Sequence, residues 1–258
     1  MRQWCWVGAC SVGSSHLKGG TVCQDAAACI ERRAGDEQVL VVIVSDGAGS
    51  AQFSAIGSHL VVEGFTRCVL KHLRSQQGPV RISESTVRDW LDNIRDQIFH
   101  SADRHGTEPR QLAATLVAAI VFNDYAVICH IGDGACVLRR RENISWEVPS
   151  WPAHGEYASS TYFVTDDPQP NLQYNLIEGQ VSEVAVFSDG IERLVLDFSE
   201  KCAFEGFFEP MFRPLAKLRP GRDRSLSANL RKYLDSPRVL ERTDDDKSLV
   251  MARRVFSE

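Results

Sequence analysis

The sequence contains little that is typical of a secreted, membrane-spanning or zinc-binding protein. Its eight cysteines include no Cys-x-x-Cys pair, so zinc-knuckle and thioredoxin-type redox motifs are not supported. The longest nearly continuous apolar stretch, residues 112–122, is interrupted by Thr115 and is much shorter than the roughly 20 residues that a membrane helix needs. Internal repeats, low-complexity runs and Pro-rich linkers are also lacking. We therefore expect a single cytoplasmic domain over residues 1–258, with reduced thiols and no membrane partner.

The chain also lacks an overall basic charge. It has 29 Lys and Arg against 34 Asp and Glu, which gives a formal net charge of -5. Because nucleic-acid-binding domains normally present a basic surface, we expect no nucleic-acid partner. The charge is uneven, however: residues 201–258 carry 13 Lys and Arg against 9 Asp and Glu, whereas residues 1–200 carry 16 against 25. An acidic body is therefore followed by a mildly basic C-terminal region.

Apolar periodicity predicts groups of strands that alternate with pairs of helices. The predicted strands cover residues 4–12, 26–33, 38–45, 183–187 and 248–255, together with a long hairpin over 112–141 that turns at Asn123-Asp124. The predicted helices cover about 54–73, 85–104, 204–218 and 224–234. Hairpins combined with helix pairs favour antiparallel sheets with helices outside. We therefore predict an α+β fold, a four-layer α-β-β-α sandwich of two antiparallel sheets flanked by helix pairs.

Residues 142–180 are rich in Pro, Ser, Asp and Asn and are predicted to form an irregular, flap-like insertion over one edge. Within it we expect only short aromatic strands, such as residues 161–165. Four aromatic residues cluster there, namely Trp146, Trp151, Tyr157 and Tyr162. They either line a substrate groove or form a small satellite core, and the core is favoured.

Acidic residues recur where apolar strands end. Asp46-Gly47, Asp133-Gly134 and Asp189-Gly190 each follow an apolar strand, Asp25 precedes the second strand, and residues 244–246 (three Asp) precede the last. One Asp-Gly pair is usually just a turn, but a carboxylate at the end of a buried strand is costly to desolvate unless a cation or hydrogen bonds meet it. If these strand ends share one rim, the carboxylates repel one another without a metal ion. Oxygen ligands without His or Cys suit Mg²⁺ or Mn²⁺.

Six motifs, in this order, resemble the metal-dependent protein phosphatases of type 2C (PPM-like), and most closely a compact bacterial-style branch of that family. They are CQDA (23–26), VSDGAGS (44–50), AAT (113–115), HIGDG (130–134), FSDGIE (187–192) and DDDKSLV (244–250). The resemblance implies the α-β-β-α sandwich and hydrolysis of phosphoserine and phosphothreonine by a water activated between two Mn²⁺ or Mg²⁺ ions. It also implies a phosphorylated protein substrate, with a cognate Ser/Thr kinase or its targets as partners. The alternative is a non-catalytic phosphoprotein-binding member of the same fold.

The resemblance assigns roles to individual residues. Asp46 would bridge both ions and so be catalytic, the Gly47 carbonyl and Asp25 would hold the second ion, Asp189 and Asp245 would complete the shell of the first, and Asp133 matches a third, weaker site. Asp244 remains an alternative to Asp245. Thr115 matches a small hydroxyl residue beneath the site, where packing is the expected role.

Three departures from the family pattern concern phosphate binding and proton transfer. No Arg precedes the Gln24-Asp25 pair, so His16 and Lys18 are the cations available there to bind substrate. Gln24 replaces a carboxylate in that pair, as it does in some relatives. Ala48 stands where many animal relatives have His, so the acid that protonates the leaving group is either His16 or a metal-bound water.

Overall fold

The computed structural model describes residues 3–75, 80–153 and 161–256. The strands are, in chain order, β1 (Trp4–Ser11), β2 (Ala26–Ala34), β3 (Glu37–Ser45), β4 (Leu116–Val121), β5 (Tyr125–Ile131), β6 (Ala135–Arg140), β7 (Glu147–Ser150), β8 (Gln173–Glu178), β9 (Val181–Phe187), β10 (Leu196–Asp197), β11 (Cys202–Ala203), β12 (Gly221–Arg222) and β13 (Lys247–Arg254). The helices are α1 (Ser14–Gly19), α2 (Ser54–Ser75), α3 (Glu84–His105), α4 (Glu192–Val195), α5 (Glu205–Phe212), α6 (Arg224–Leu234) and α7 (Pro237–Leu240).

The strands build two main sheets that face each other. The six-stranded sheet has the order β12-β1-β13-β9-β6-β7, and the five-stranded sheet has the order β2-β3-β4-β5-β8. Neighbouring strands are antiparallel, except that β12 pairs in parallel with two residues of β1. Alternate side chains of both sheets, such as Trp4, Val42 and Val186, meet in a buried inter-sheet core.

Helices cover the outer face of each sheet. Phe65 of α2 and Ile94 of α3 pack against Ile43 and other residues of the five-stranded sheet. Phe208 of α5 and Leu230 of α6 pack on the outer face of the six-stranded sheet. Two sheets between two helical layers make the four-layer α-β-β-α sandwich, and the predicted fold class is confirmed.

The long hairpin predicted over residues 112–141 is wrong in its second arm. β5 ends at Ile131 in the five-stranded sheet, and β6 continues from Ala135 in the six-stranded sheet. Gly132 lies between them with φ +111°, a conformation that L side chains rarely adopt, so the strand stops there and the chain crosses between sheets. This crossing places Asp133 at the end of the sandwich.

The helix predicted over residues 204–218 is also shorter than expected. α5 ends at Phe212 and a 3₁₀ turn, Arg213–Lys217, follows it. Pro214 lies in the first turn of that 3₁₀ segment and lacks the N–H that would continue the α-helical hydrogen bonding.

The insertion over residues 142–180 contains more regular structure than the sequence indicates. β7 pairs with β6 and β8 pairs with β5, so the insertion adds an edge strand to each sheet. The segment 161–165 ends in a turn at Val164-Thr165 instead of forming an extended strand. Trp146 packs in a core with Phe208 and Phe212, which favours the core interpretation for that residue; Tyr157 lies outside the described residues. Within the described ranges, no helix has both the length and the apolar character needed to cross a bilayer.

Candidate metal centre

Strand register brings the acidic residues to one end of the sandwich. Ala26 of β2 pairs with Ser45 of β3, so Asp25 and Asp46, the next residues outward, are neighbours. In the other sheet, Phe187 of β9 pairs with both Leu249 of β13 and Ala135 of β6. The segments that carry Asp189, Asp245 and Asp133 therefore leave the six-stranded sheet side by side.

Three of these carboxylates form a compact cluster. One oxygen each of Asp46, Asp133 and Asp189 lies within 4.8 Å of the others. Burial, followed by the charge of Asp133, raises the pKa of Asp189 to about 7. Burial, followed by the charges of Asp25 and Asp189, raises the pKa of Asp46 well above its ordinary value. Ionising all of these carboxylates together is therefore costly, and a bound cation would offset that cost.

Asp25 is buried beside Asp46 and is held by a serine. Ser188 Oγ donates a hydrogen bond to Asp25 Oδ2 at 2.8 Å, and Ser188 Oγ itself accepts from the backbone N–H of Ser248 at 2.9 Å. Burial raises the pKa of Asp25 to about 6, although hydrogen bonds from Ser248 and Ser188 oppose the shift. The serine thus orients Asp25 Oδ2, while Asp25 Oδ1 accepts no hydrogen bond from the described residues.

The backbone around Asp46 is fixed by Thr115. The N–H of Asp46 donates to Thr115 Oγ1 at 2.9 Å, and the N–H of Thr115 donates to the Asp46 carbonyl at 2.8 Å. Packing was the expected role of Thr115, and the structure adds this hydrogen-bonding role. A Cβ on Gly47 would lie 2.7 Å from the backbone carbonyl of Ser54, so only glycine fits the turn that follows Asp46.

The three consecutive aspartates, residues 244–246, have different surroundings. Asp246 is 1% exposed, and its carboxylate accepts hydrogen bonds from the backbone N–H groups of Gly13 and Gln24. Asp244 is exposed, and its backbone carbonyl accepts from Ser15. Asp245 lies between them, and its charge is one of the causes that raise the pKa of Asp189. The charge of Asp246 in turn helps to raise the pKa of Asp25, so both Asp245 and Asp246 act electrostatically on carboxylates of the site.

Helix α1 carries the two predicted substrate-binding cations. His16 Nδ1 lies 3.0 Å from Asp246 Oδ1, and the His16 side chain is 17% exposed. Lys18 is exposed on the last turn of the same helix. The backbone contact of Ser15 with Asp244 holds α1 beside the loop that bears Asp245. Of these two cations, His16 is thus the one brought against the acidic loop.

Sequence reasoning missed several residues that complete the site. Ser188 and Asp246 support neighbouring groups through contacts that no local pattern shows. Glu192 is 7% exposed, and burial, followed by the charges of Asp189 and Asp133, raises its pKa to about 8. Lys247 is fully buried, and its Nζ donates to the Asp245 carbonyl at 3.0 Å. The available signals were the Ser before Asp189, the Glu in FSDGIE and the Lys in DDDKS.

The donor set fits a hard divalent cation. All side chains in the compact cluster offer carboxylate oxygens, which Mg²⁺ and Mn²⁺ prefer. Asp25 Oδ1 and Asp189 Oδ1 are buried and have no hydrogen-bond partner among the described residues. Buried carboxylate oxygens are normally satisfied, so these two are oriented as ligands would be. The arrangement therefore fits a divalent metal ion.

A four-layer α-β-β-α sandwich with carboxylates gathered at one end of both sheets defines a class of metal-binding hydrolase domains. The protein phosphatase 2C family model matches residues 12–235. The chain belongs to the protein phosphatase 2C family, whose members are metal-dependent protein phosphatases.

Individual relatives agree with this assignment. The chain is 34% identical over 252 residues to serine/threonine-protein phosphatase 3 of Escherichia coli (strain K12), an alignment that covers 97% of this chain and 98% of that protein. Among solved structures, the serine/threonine phosphatase Stp1 from Staphylococcus aureus superposes with a TM-score of 0.63 at 15% identity, covering 98% of this chain and 95% of that one. The catalytic domain of the phosphatase PstP, solved with two manganese ions, gives a TM-score of 0.61 at 15% identity over 99% and 100% of the two chains. At these identities the structural matches establish the fold.

Proposed function

We propose that this protein hydrolyses phosphoserine and phosphothreonine in proteins, with two Mn²⁺ or Mg²⁺ ions held at the candidate metal centre. The observation that carries the proposal is the cluster of Asp46, Asp133 and Asp189, whose oxygens lie within 4.8 Å of one another. The full length alignment with a serine/threonine-protein phosphatase supports the choice of substrate. The bound ions would lower the pKa of a water and offset the charge of the phosphate.

In this proposal each acidic residue has one role. Asp46 would be the ligand shared by two ions, the Gly47 carbonyl and Asp25 would hold one of them, Asp189 and Asp245 would hold the other, and Asp133 would serve a third, weaker site. Asp46 is the neighbour of Asp25 across the β2–β3 pair and shares the compact cluster with Asp189, which supports its assignment as the shared ligand.

The chain's own residues would bind the substrate and move its proton. His16 and Lys18 face the phosphate from α1. The oxygen of a water molecule bonds to phosphorus while the bond from phosphorus to the seryl or threonyl oxygen breaks. His16 then gives a proton to the seryl or threonyl oxygen that leaves. The contact of His16 Nδ1 with Asp246 supports this role, because a carboxylate on one ring nitrogen orients the other nitrogen for proton transfer.

Phosphate release from phosphoserine, phosphothreonine and phosphotyrosine versions of one peptide tests the proposal. With Mn²⁺ we expect turnover of the first two, and a loss of at least about 100-fold in Asp46→Asn and Asp189→Asn, since both remove a charge from the metal centre. Asp92→Asn, an exposed aspartate of α3, is the matched control. Phosphopeptide binding without phosphate release would instead favour the non-catalytic alternative, and turnover restricted to phosphotyrosine would contradict the proposed substrate class.

A further inference from the structure

A groove of about 730 Å³ opens on the helical side of the six-stranded sheet. Residues of α4, α5, α6 and α7 line it, together with the β10–β11 segment. Its floor is apolar and aromatic, and its rim carries three arginines; the residues that matter here are Phe198, Phe204, Met211, Arg193, Arg238 and Arg242. Arg238 and Arg242 belong to the basic C-terminal region, for which the sequence alone suggests no role.

Two phenylalanines of the groove are exposed although most large apolar side chains of the chain are buried. Phe198 is 38% exposed and Phe204 is 54% exposed. The tip of the Phe204 ring lies against Gly206, where an added Cβ would come within 2.7 Å of it, so the ring can hold this position only because residue 206 has no side chain. Adjacent exposed aromatic residues are typical of a surface that a partner covers.

The charges of the rim are largely available to a partner. Within the described part of the chain, Arg238 and Arg242 make no ion pair, and Arg193 has only a 4.0 Å contact with Glu192. One acidic residue, Asp197, also lines the groove, but its Oδ1 accepts hydrogen bonds from Ser199 and Glu200. An occupant that carries carboxylates would therefore complement the rim.

Residues of the groove are close along the chain to residues of the candidate metal centre. Arg193 follows Asp189 by four residues, and Arg242 precedes Asp245 by three residues. At no more than about 3.6 Å per residue, each arginine Cα lies within about 14 Å of the aspartate Cα. Phe198 also contacts Trp151 of the insertion, with ring centroids 5.5 Å apart. About four residues of an extended peptide span that distance.

We propose that this groove docks an extended segment of the phosphoprotein substrate in which a large apolar side chain, flanked by acidic residues, lies three to five residues from the phosphorylated one. The apolar side chain packs between Phe198, Phe204 and Met211, and the acidic residues pair with the arginines of the rim. The proposal rests on the proposed function, because it describes how the same site selects its substrate.

The test uses phosphoserine peptides in which one Phe, flanked by two Glu, lies three to five residues from the phosphoserine, on its N-terminal or its C-terminal side. Matched peptides carry Ala in place of Phe. We compare kcat/KM on the peptides with kcat/KM on p-nitrophenyl phosphate, which is too small to reach the groove. In Phe204→Ala we expect the anchor-bearing peptide to lose about tenfold more than p-nitrophenyl phosphate, through KM, as when an aromatic anchor is truncated. The double variant R238E/R242E should likewise lose more kcat/KM on the peptide than on p-nitrophenyl phosphate.

Matched controls separate docking from general effects. Phe256→Ala removes an exposed phenylalanine outside the groove, and R222E/R224E reverses two exposed arginines of the same basic region. Both control variants should keep the wild-type preference for the Phe peptide over the Ala peptide. The docking proposal would be overturned if the wild type had the same kcat/KM for the Phe and Ala peptides. It would also be overturned if Phe204→Ala lowered kcat/KM equally for the Phe peptide and for p-nitrophenyl phosphate.

Fluorescence anisotropy of the labelled peptides on the metal-free protein makes the result independent of catalysis. We expect the Phe peptide to bind about tenfold more tightly than the Ala peptide, and Phe204→Ala to abolish the difference. If phosphate release fails while this difference persists, the proposed function is wrong and the docking surface stands. If release occurs and the difference is absent, the docking proposal is wrong.

Discussion

The hydroxyl of Ser188 lies 2.8 Å from Asp25 Oδ2 and links two strand ends that belong to different sheets. Ser188 follows β9 in the six-stranded sheet, whereas Asp25 precedes β2 in the five-stranded sheet. The same hydroxyl accepts from the N–H of Ser248, so the geometry of Asp25 depends on the pairing of β9 with β13. The metal centre is thus held in shape by hydrogen bonds across the sandwich.

The variant Ser188→Ala should weaken Mn²⁺ binding by about tenfold, because loss of a hydrogen bond that orients a ligand typically costs that much affinity or more. Isothermal titration calorimetry of the metal-free protein measures the change. Ser182→Ala, at the other end of β9, removes a hydroxyl that bonds the Arg139 carbonyl far from the metal centre. Equal affinities of the two variants would contradict the role assigned to Ser188.

The variant His16→Gln should slow the phosphoserine peptide far more than p-nitrophenyl phosphate. A seryl oxygen needs a proton as it leaves, whereas p-nitrophenolate is stable without one, so we expect kcat on the peptide to fall about 100-fold. Steady-state kinetics on both substrates measure the two losses of kcat. His59→Gln, at an exposed histidine of α2, is the control. Equal losses on both substrates would show that His16 does not act as the acid.

The variant Gly47→Ala should lower the free energy of unfolding by about 2 kcal/mol, because the new Cβ would overlap the backbone of Ser54. Phosphatase activity should fall with it, since Asp46 would move. Gly49→Ala is a matched control two residues away, where nothing lies within 4 Å of the added Cβ. Denaturant unfolding of both variants gives the comparison, and similar stabilities would rule out the steric explanation.

His130 should make the protein less stable in mild acid. Burial lowers the pKa of His130 from 6.5 to about 4, and its Nδ1 lies 2.8 Å from Ser150 Oγ. Because the unfolded chain binds the proton more readily, stability present above pH 6.5 is lost as the pH falls towards 4. The loss attributable to this group is at most about 3 kcal/mol.

Unfolding of His130→Gln between pH 4 and pH 7 measures this contribution. The variant should lose less stability than the wild type across that interval, whatever its stability at pH 7. His100→Gln, an exposed histidine of α3, should follow the wild-type curve. Parallel curves for wild type and His130→Gln would show that His130 is protonated in the folded protein.

Much of the fold could be predicted because it follows from local patterns. The strand over 38–45 and the helix over 54–73 appear within a few residues of their predicted ends, since an apolar run and a helical periodicity are properties of short segments. The errors fall where a single residue overrides the pattern. β5 ends just before Gly132, and α5 gives way to a 3₁₀ turn at Pro214, although apolar residues follow in both places.

The candidate site, like the fold, could be predicted only in part from the sequence. The sequence alone determined which aspartates follow strands and, through six ordered motifs, the family to which the chain belongs. Only the tertiary structure decided which contacts complete the site, because Ser188 and Asp25 are 163 residues apart and Gly13 and Asp246 are 233 residues apart. The basic C-terminal region is a further example: its arginines line one rim only after α4, α5 and α7 pack together. Contacts of this kind depend on how whole strands and helices are arranged in space, which no segment of the chain specifies by itself.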